Sequence, residues 1–249
     1  MFMKLKHVII HEIDDYKMLL KNVPCVVMTF FVMSVVLMNL FANKELLNLG
    51  WFALDCGFCL SWLSFLCMDM LTKRFGPKAA IKISLFAVGV NIVASIIFWL
   101  VSLVPSNWGA FYTFNDEIAN QAIDSTIGGA WYVVSGSMLA FAVASVVNAL
   151  INSAIGRMCK SNTFRAFAIR SYVSTAIGQL VDNLIFALVV SHVFFGWSMW
   201  QVLTCSIAGA LMELLSEVIF SPIGFKVAKR WEKEKVGQSY IDCIKEVKC

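Results

Sequence analysis

An acidic side chain interrupts a long apolar stretch in the second half of the chain, Ser171–Phe195. Polar and small residues recur along it at spacings of three and four, which on a helix places them in one stripe. The members of this stripe are Ser171, Ser174, Thr175, Gly178, Gln179 and Asp182. A carboxylate at the centre of a membrane helix costs about 2.5–3.5 kcal/mol on insertion scales. By default, such a group marks a substrate or ion path.

Two further apolar stretches carry similar groups: Asn148 and Asn152 on one, Glu213 and Glu217 on the other. The second of these follows the stretch of Asp182 after a short connection, which predicts neighbouring helices with Asp182 and Glu213 at similar depth. Two such carboxylates do not both ionise readily, so the pair can bind a proton or a cationic substrate. The alternatives are a permanently protonated, hydrogen-bonded acid and, for the asparagines, packing between helices.

The composition identifies the elements that must position these groups. Apolar residues make up 59% of the chain and charged residues only 14%, against about 25% charged residues in soluble domains. Six stretches are long enough to cross a hydrocarbon core, which takes about 20 residues. They are Val23–Phe41, Trp51–Leu71, Ala79–Val104, Trp131–Ile155, Ser171–Phe195 and Val202–Phe220. The sequence therefore predicts an all-α integral membrane protein built as a bundle of six transmembrane helices.

The basic residues predict the orientation of this bundle. Nineteen of the 20 Lys and Arg lie in the terminal segments and in alternate connections, and Lys44 is the exception. By the positive-inside rule, the N- and C-termini are cytoplasmic. We expect residues 1–22 to form a cytoplasmic segment, residues 23–225 the transmembrane transporter domain and residues 226–249 a basic tail. Five tryptophans at the opposite ends of the helices suit an interfacial belt: Trp51, Trp108, Trp131, Trp197 and Trp200.

Other chemistries have little support in the sequence. None of the three histidines has an evident serine or cysteine partner inside a predicted span, so we expect no enzyme. Cys56 and Cys59 form a Cys-x-x-Cys pair, but no second ligand pair accompanies it, and we expect neither a metal nor a cofactor. The net charge of +4 is explained by basic loops that meet an anionic membrane surface, with no nucleic-acid partner. A solute transporter explains the buried polar stripes best.

The second apolar stretch has an aspartate near each end. Asp55 either reaches the outer interface or shares a face with Asp69, which lies four turns further along. Asp69 either forms a salt bridge with the basic residues that follow it or orders an inner gate together with Thr72 and Arg74.

These motifs together resemble the vitamin uptake transporter family, whose best-known members are queuosine precursor transporters. The resemblance rests on Asp69, Thr72 and Phe75-Gly76 at the end of the second predicted helix, and on the run Ser-Thr-Ala-Ile-Gly-Gln ending at Gln179. It also includes Asp182-Asn183, and Glu217 five residues before Pro222.

The resemblance implies uptake of a deazaguanine base across a bacterial inner membrane. Together with the polar stripes, it leads us to expect a substrate site formed by Asp182 and Gln179, assisted by Asn183, Ser174 and Thr175, with Asn148 and Asn152 along the inner half of the path. Glu213 and Glu217 would bind substrate or a coupling proton. The chain departs from the family pattern at several of these positions. Lys73 stands where family members often have an acidic residue, Glu213 where they often have a lysine, and Asn148 and Asn152 where they commonly have Gln and then Asp.

Two alternative functions stay open at this point. One is a substrate-binding membrane subunit of an energy-coupling factor type transporter, although the first stretch lacks the alanine-rich stripe that such subunits often use for docking. The other is a related importer of another vitamin or nucleobase-like solute. A homodimer is compatible with either.

Overall fold

The computed structural model describes residues 2–158 and 164–247 of the chain. Helices dominate, and the described ranges contain one short β-hairpin. In chain order the elements are α1 (Phe2–Asn22), α2 (Cys25–Phe41), β1 (Glu45–Asn48), β2 (Ala53–Asp55), α3 (Phe58–Phe75), α4 (Pro77–Ser102), α5 (Gly109–Phe114), α6 (Glu117–Gly128), α7 (Ala130–Met158), α8 (Phe164–Phe186), a π-helical turn (Ala187–Ser191), α9 (His192–Phe195), α10 (Met199–Lys233) and α11 (Gln238–Val247).

The six predicted stretches correspond to α2, α3, α4, α7, the α8–α9 segment and α10. The second stretch was predicted wrongly at its start, because Trp51–Asp55 belongs to the hairpin and not to a helix. Gly50 explains the difference. Its φ of +79° is a turn conformation that glycine adopts without steric cost. The Gly50 amide donates to Asn48 Oδ1 over 3.1 Å, which closes the turn between the two strands.

Several helices are suited to a bilayer. Within the described residues, four helical stretches are long and apolar enough to cross a membrane: Pro77–Ser102, Glu117–Ala144, Ala176–Phe195 and Met199–Phe220. Helix α2, which is bent by 106° from the end of α1, raises the number to five if the bent pair is one span. Helix α3 has 18 residues but includes Asp69, Lys73 and Arg74, which lowers its apolar character. The protein is therefore a mostly helical, multi-pass membrane protein.

The long helices surround a common interior. Helices α3, α10, α8, α7 and α4 follow one another around the bundle, and α2 packs against α3, α4 and α7. Helices α8 and α10 are therefore direct neighbours, as the short connection between them predicted. Small residues allow close packing, as at Gly136 of α7, where a Cβ would lie 2.3 Å from Val190 Cγ2.

Both ends of the described chain meet the α3–α4 turn, in a region that we call the terminal end. The Phe75 ring packs against Trp231 and Tyr240, and all three are buried. Arg74 Nε donates to the Val236 carbonyl over 2.9 Å. Burial raises the pKa of Tyr240 to about 12, so this ring stays neutral.

Helix α1 is held against the bundle at the same end. Lys82 of α4 donates to Glu12 over 2.6 Å and also contacts Asp15, and both acids belong to α1. Ser239 of α11 donates to Asn22 Oδ1 over 2.6 Å. The segments on either side of the predicted transporter domain therefore pack against each other and against the bundle.

At the opposite, hairpin end, the β-hairpin is fastened to the start of α10. Trp197 is only 1% exposed, and its Nε1 donates to Glu45 Oε1 over 2.5 Å. Gln201 Nε2 donates to Asn48 Oδ1 over 3.0 Å. The expectation that Trp197 belongs to an interfacial belt is therefore wrong, because its indole is buried against the hairpin. Trp200, by contrast, is 61% exposed.

Trp197→Phe is expected to loosen the hairpin end. The change removes an indole donor from a carboxylate, and hydrogen bonds to charged groups contribute about 1.5–3 kcal/mol. We expect a lower midpoint of thermal unfolding in detergent, measured by size-exclusion chromatography of heated samples. Trp200→Phe is the matched control and should leave the midpoint unchanged. Equal shifts for the two variants would contradict the role given to Trp197.

Candidate functional site

The contact between α8 and α10 contains a hydrogen bond that links the two helices. Asn183 Nδ2 donates to Glu213 Oε2 over 2.9 Å, and also to the Gln179 carbonyl over 2.9 Å. Gly209 makes room for this amide, because a Cβ at Gly209 would lie 3.1 Å from Asn183 Oδ1. Asp182, the residue before Asn183, and Glu213 therefore lie at a similar level along the two helices.

Gln179 lies one turn before Asn183 on α8, and its side chain is buried, with 5% exposure. Neither its amide oxygen nor its amide nitrogen has a hydrogen-bond partner within the described part of the chain. Buried amides are nearly always hydrogen-bonded, since leaving one unpaired costs about 1–3 kcal/mol. An unsatisfied amide beside an acid and a second amide is suited to a ligand that offers both a donor and an acceptor.

The carboxyl groups of Asp182 and Glu213 lie close enough for their charges to interact. Glu213 is 6% exposed, and Asp182 is half-buried. In the residues that the structure describes, no Lys, Arg or His forms an ion pair with either acid. Two acids without a cation in a region of low dielectric interact strongly with any proton or cationic group that reaches them.

Asp55 lies on the hairpin strand β2, which packs against α10. Its Oδ1 accepts a hydrogen bond from the Gly57 amide over 2.9 Å, which fixes the side chain at the start of α3. Its charge interacts with Glu213 and with Cys205 of α10. The sequence did not assign Asp55 to the site, because a helical reading of Trp51–Leu71 placed it near the outer interface.

Several predicted site residues cannot be compared with the structure. The side chains of Ser174, Thr175, Asn148, Asn152, Glu217 and Asp69 lie outside the described residues. Thr72 is exposed. Arg74 donates through its guanidinium to Gln238 Oε1 over 3.2 Å as well as to Val236. The gate formed by Asp69, Thr72 and Arg74 therefore stays a prediction.

The described residues contain an aromatic contact between α3 and α10 but no group of metal ligands. Trp62 of α3 stacks on Phe220 of α10, with ring centroids 4.5 Å apart. This contact joins the two helices and accounts for Trp62 as a packing residue. No three described His, Cys, Asp or Glu side chains are placed to hold a metal ion together.

A π-helical turn follows the polar segment of α8. It covers Ala187–Ser191, and Tyr132 of α7 donates its hydroxyl to the Val189 carbonyl over 2.7 Å. A π turn leaves backbone carbonyls poorly satisfied, and single π turns are frequent at functional sites. The apolar residues of this turn gave no sign of it in the sequence.

Comparison with known proteins identifies the family. The model of a family described as "Putative vitamin uptake transporter" matches residues 55–227. The chain belongs to this family. A protein of Bacillus subtilis (strain 168) named "Probable queuosine precursor transporter" is 26% identical over 165 residues, which is 66% of this chain and 67% of the relative. No solved structure matches at a significant level.

Membership confirms the resemblance seen in the motifs. The protein is a membrane transporter of this family and not an enzyme. A transporter of this family takes a small-molecule substrate and is surrounded by lipid. The matched range contains both Asp55 and Glu213 and covers α3 through most of α10.

Gly209→Val is expected to disrupt the α8–α10 contact. The added side chain would collide with Asn183 and displace its amide from Glu213, and overpacking of this kind costs about 1–3 kcal/mol. The thermal midpoint in detergent should fall. Gly89→Val is the control, because a Cβ at helical Gly89 meets no atom within 4 Å. If Gly209→Val is as stable as Gly89→Val, the two helices do not approach as described.

Proposed function

We propose that the protein imports a queuosine precursor, a deazaguanine base, and binds it between α8 and α10. The observation that carries the proposal is the buried, unpartnered amide of Gln179, which lies beside Asp182 and the Asn183–Glu213 hydrogen bond. The name of the Bacillus subtilis relative supports the class of substrate.

The chemistry of these side chains suits a planar base with an amide edge and an amino group. An amide side chain offers both a donor and an acceptor, so Gln179 can form two hydrogen bonds to a lactam edge. The carboxylate of Asp182 accepts hydrogen bonds from ring nitrogen or amino donors. Asn183 is held by Glu213, which leaves its Oδ1 available to accept from the base.

The remaining predicted residues have supporting roles in this proposal. Ser174 and Thr175 extend the site along α8, and Asn148 and Asn152 line the inner half of the path on α7. Asp69, Thr72 and Arg74 form the inner gate. Glu213, with Glu217 one turn further along, binds the substrate or carries a coupling proton, since paired acids in low dielectric share protons readily.

The proposed arrangement in the membrane is six spans, α2, α3, α4, α7, α8–α9 and α10, with cytoplasmic termini in a bacterial inner membrane. It is supported by the meeting of α1, α11 and the α3–α4 turn at the terminal end, where the basic residues cluster. An even number of spans follows if both termini lie on one side.

Reporter fusions test the topology. Green fluorescent protein fused after Cys249 should fluoresce, because it folds in the cytoplasm, and alkaline phosphatase at the same place should be inactive. The same reporters fused after Ser106 should give the opposite pair of results. Active phosphatase at both positions would rule out cytoplasmic termini with this number of spans.

Uptake of a labelled deazaguanine base tests the function. Cells that lack their own uptake system and any energising complex of the energy-coupling type should accumulate the base when they express the wild type. Asp182→Asn should reduce the initial rate about tenfold or more, as expected when a hydrogen bond to a charged group is lost from a binding site. Gln179→Leu should act in the same direction.

The matched control is Asp14→Asn, because Asp14 is exposed on α1 and its neutralisation should leave uptake unchanged. All variants are compared at equal membrane expression. Wild-type transport by Asp182→Asn would show that this carboxylate is not part of the site. Uptake only in hosts that supply an energising complex would instead favour a substrate-capturing subunit.

A further inference from the structure

Two lysines from different helices approach the same phenyl ring at the terminal end of the bundle. Lys73, in the last turn of α3, places its Nζ 3.2 Å from the centroid of the Phe225 ring of α10. Lys229, one turn after Phe225 on the same helix, places its Nζ 4.6 Å from that centroid. The two positive charges can be no further apart than the sum of these distances. We call these three residues the lysine–phenylalanine cluster.

Close packing between α3 and α10 holds the cluster together. A Cβ at Gly224 would lie 3.1 Å from Leu66 Cδ1 and 3.3 Å from Met70 Cγ, both on α3. The absence of a side chain at Gly224 therefore lets the two helices approach each other just before Phe225. The Phe225 ring is itself 40% exposed, and both lysines are exposed as well. The cluster is thus positioned by the bundle but open to its surroundings.

The length of α10 places the cluster where the bilayer meets water. The apolar part of the helix, Met199–Phe220, is long enough to cross the hydrocarbon core, but α10 continues to Lys233. At about 1.5 Å per residue, Phe225 lies about 7.5 Å beyond Phe220. This is the depth of the headgroup layer that borders a core of about 30 Å. Lysine side chains near helix ends extend their charges to this level.

An exposed apolar stripe on α10 leads from the bilayer core to the cluster. Val218, Pro222, Phe225 and Lys229 follow one another at spacings of four, three and four residues, which places them on one face of the helix. Val218 is 50% exposed, and Pro222 is also exposed. A surface that is apolar along its length and positively charged at its end matches the acyl chain and the phosphate of a lipid.

We propose that the lysine–phenylalanine cluster is a binding site for an anionic phospholipid. The lipid phosphate lies beside the ring and contacts Lys73 and Lys229, and an acyl chain follows the apolar stripe of α10. Basic sites between transmembrane helices on the cytoplasmic side suit the headgroups of acidic lipids. The arrangement proposed above places the terminal end on that side. The lipid site does not depend on which substrate the protein transports.

Electrostatics explains why the headgroup must be an anion. Two ammonium groups beside one ring repel each other, and the negative face of the ring offsets only part of this repulsion. A phosphate diester brings a negative charge and accepts charge-assisted hydrogen bonds from both lysines. No ion pair in the described ranges includes Lys229, so no carboxylate there competes for its ammonium group. A zwitterionic lipid carries its own cation, which weakens the attraction.

Thermal unfolding of the purified full-length protein in a neutral detergent tests the site. Phosphatidylglycerol should raise the unfolding midpoint at about tenfold lower concentrations than phosphatidylcholine with the same acyl chains, because only the first is a net anion. The double variant Lys73→Gln, Lys229→Gln should raise the half-maximal concentration of phosphatidylglycerol about tenfold. Lys73→Arg with Lys229→Arg should keep the wild-type value, since guanidinium groups also bind phosphate and stack on rings.

The matched control is the double variant Lys17→Gln, Lys21→Gln, which removes the same amount of charge from exposed positions on α1. It should respond to phosphatidylglycerol like the wild type. An equal loss of response in this control would mean that the lipid is attracted by the basic surface in general, and would overturn the proposed site.

Three other results would also contradict the proposal. Equal half-maximal concentrations of the two lipids in the wild type would show that headgroup charge is not recognised. An undiminished response of the folded Lys→Gln double variant would show that these lysines do not bind the lipid. Inorganic phosphate as effective as phosphatidylglycerol would indicate a site for a free anion. If the double variant does not fold, Lys229→Gln alone should still raise the half-maximal concentration about threefold, and no increase would count against the site.

Discussion

The hydrogen bond from Asn183 to Glu213 joins α8 to α10, the two helices that carry most of the polar groups of the candidate site. It holds these groups at the same level along the bundle. It depends on the missing side chain at Gly209, because any Cβ there would crowd the Asn183 amide. Once this contact is formed, Asp182 and Gln179 are directed into the same interior as Glu213. The polar character of the interior thus follows from one close approach between helices, and not from the number of acidic residues in the chain.

Hydrogen bonds at both ends of the bundle stabilise the contact between α8 and α10. At the hairpin end, the indole of Trp197 and the amide of Gln201 bind the strand β1 through Glu45 and Asn48. At the terminal end, Arg74 binds the turn before α11. Such long-range contacts between short polar segments and the helices restrict sliding of α10 relative to α3 and α8, so the polar groups keep their register.

The sequence predicted the helices well where the length of an apolar stretch and the charges at its ends determine where a helix forms. The neighbouring positions of α8 and α10, and the similar level of Asp182 and Glu213 along them, followed from a short connection and helical spacing. The hairpin was missed because Trp51–Asp55 is as apolar as a helix, and only the φ of Gly50 and the distant partners Glu45 and Asn48 reveal the turn. Asp55 was misplaced for the same reason, since its neighbours in space come from α10.

The π-helical turn at Ala187–Ser191 changes the direction in which the side chains after it point, relative to those of α8 before it. Each residue of an α-helix advances the direction of its side chain by about 100°, and a π turn accommodates one residue more than an α turn. The side chains beyond Ser191 are therefore rotated by roughly one residue from the directions that the polar stripe would predict. This change of phase lets Asn183 point at α10 while His192, on the same continuous helix, contacts the carbonyl of Trp197 beneath the hairpin.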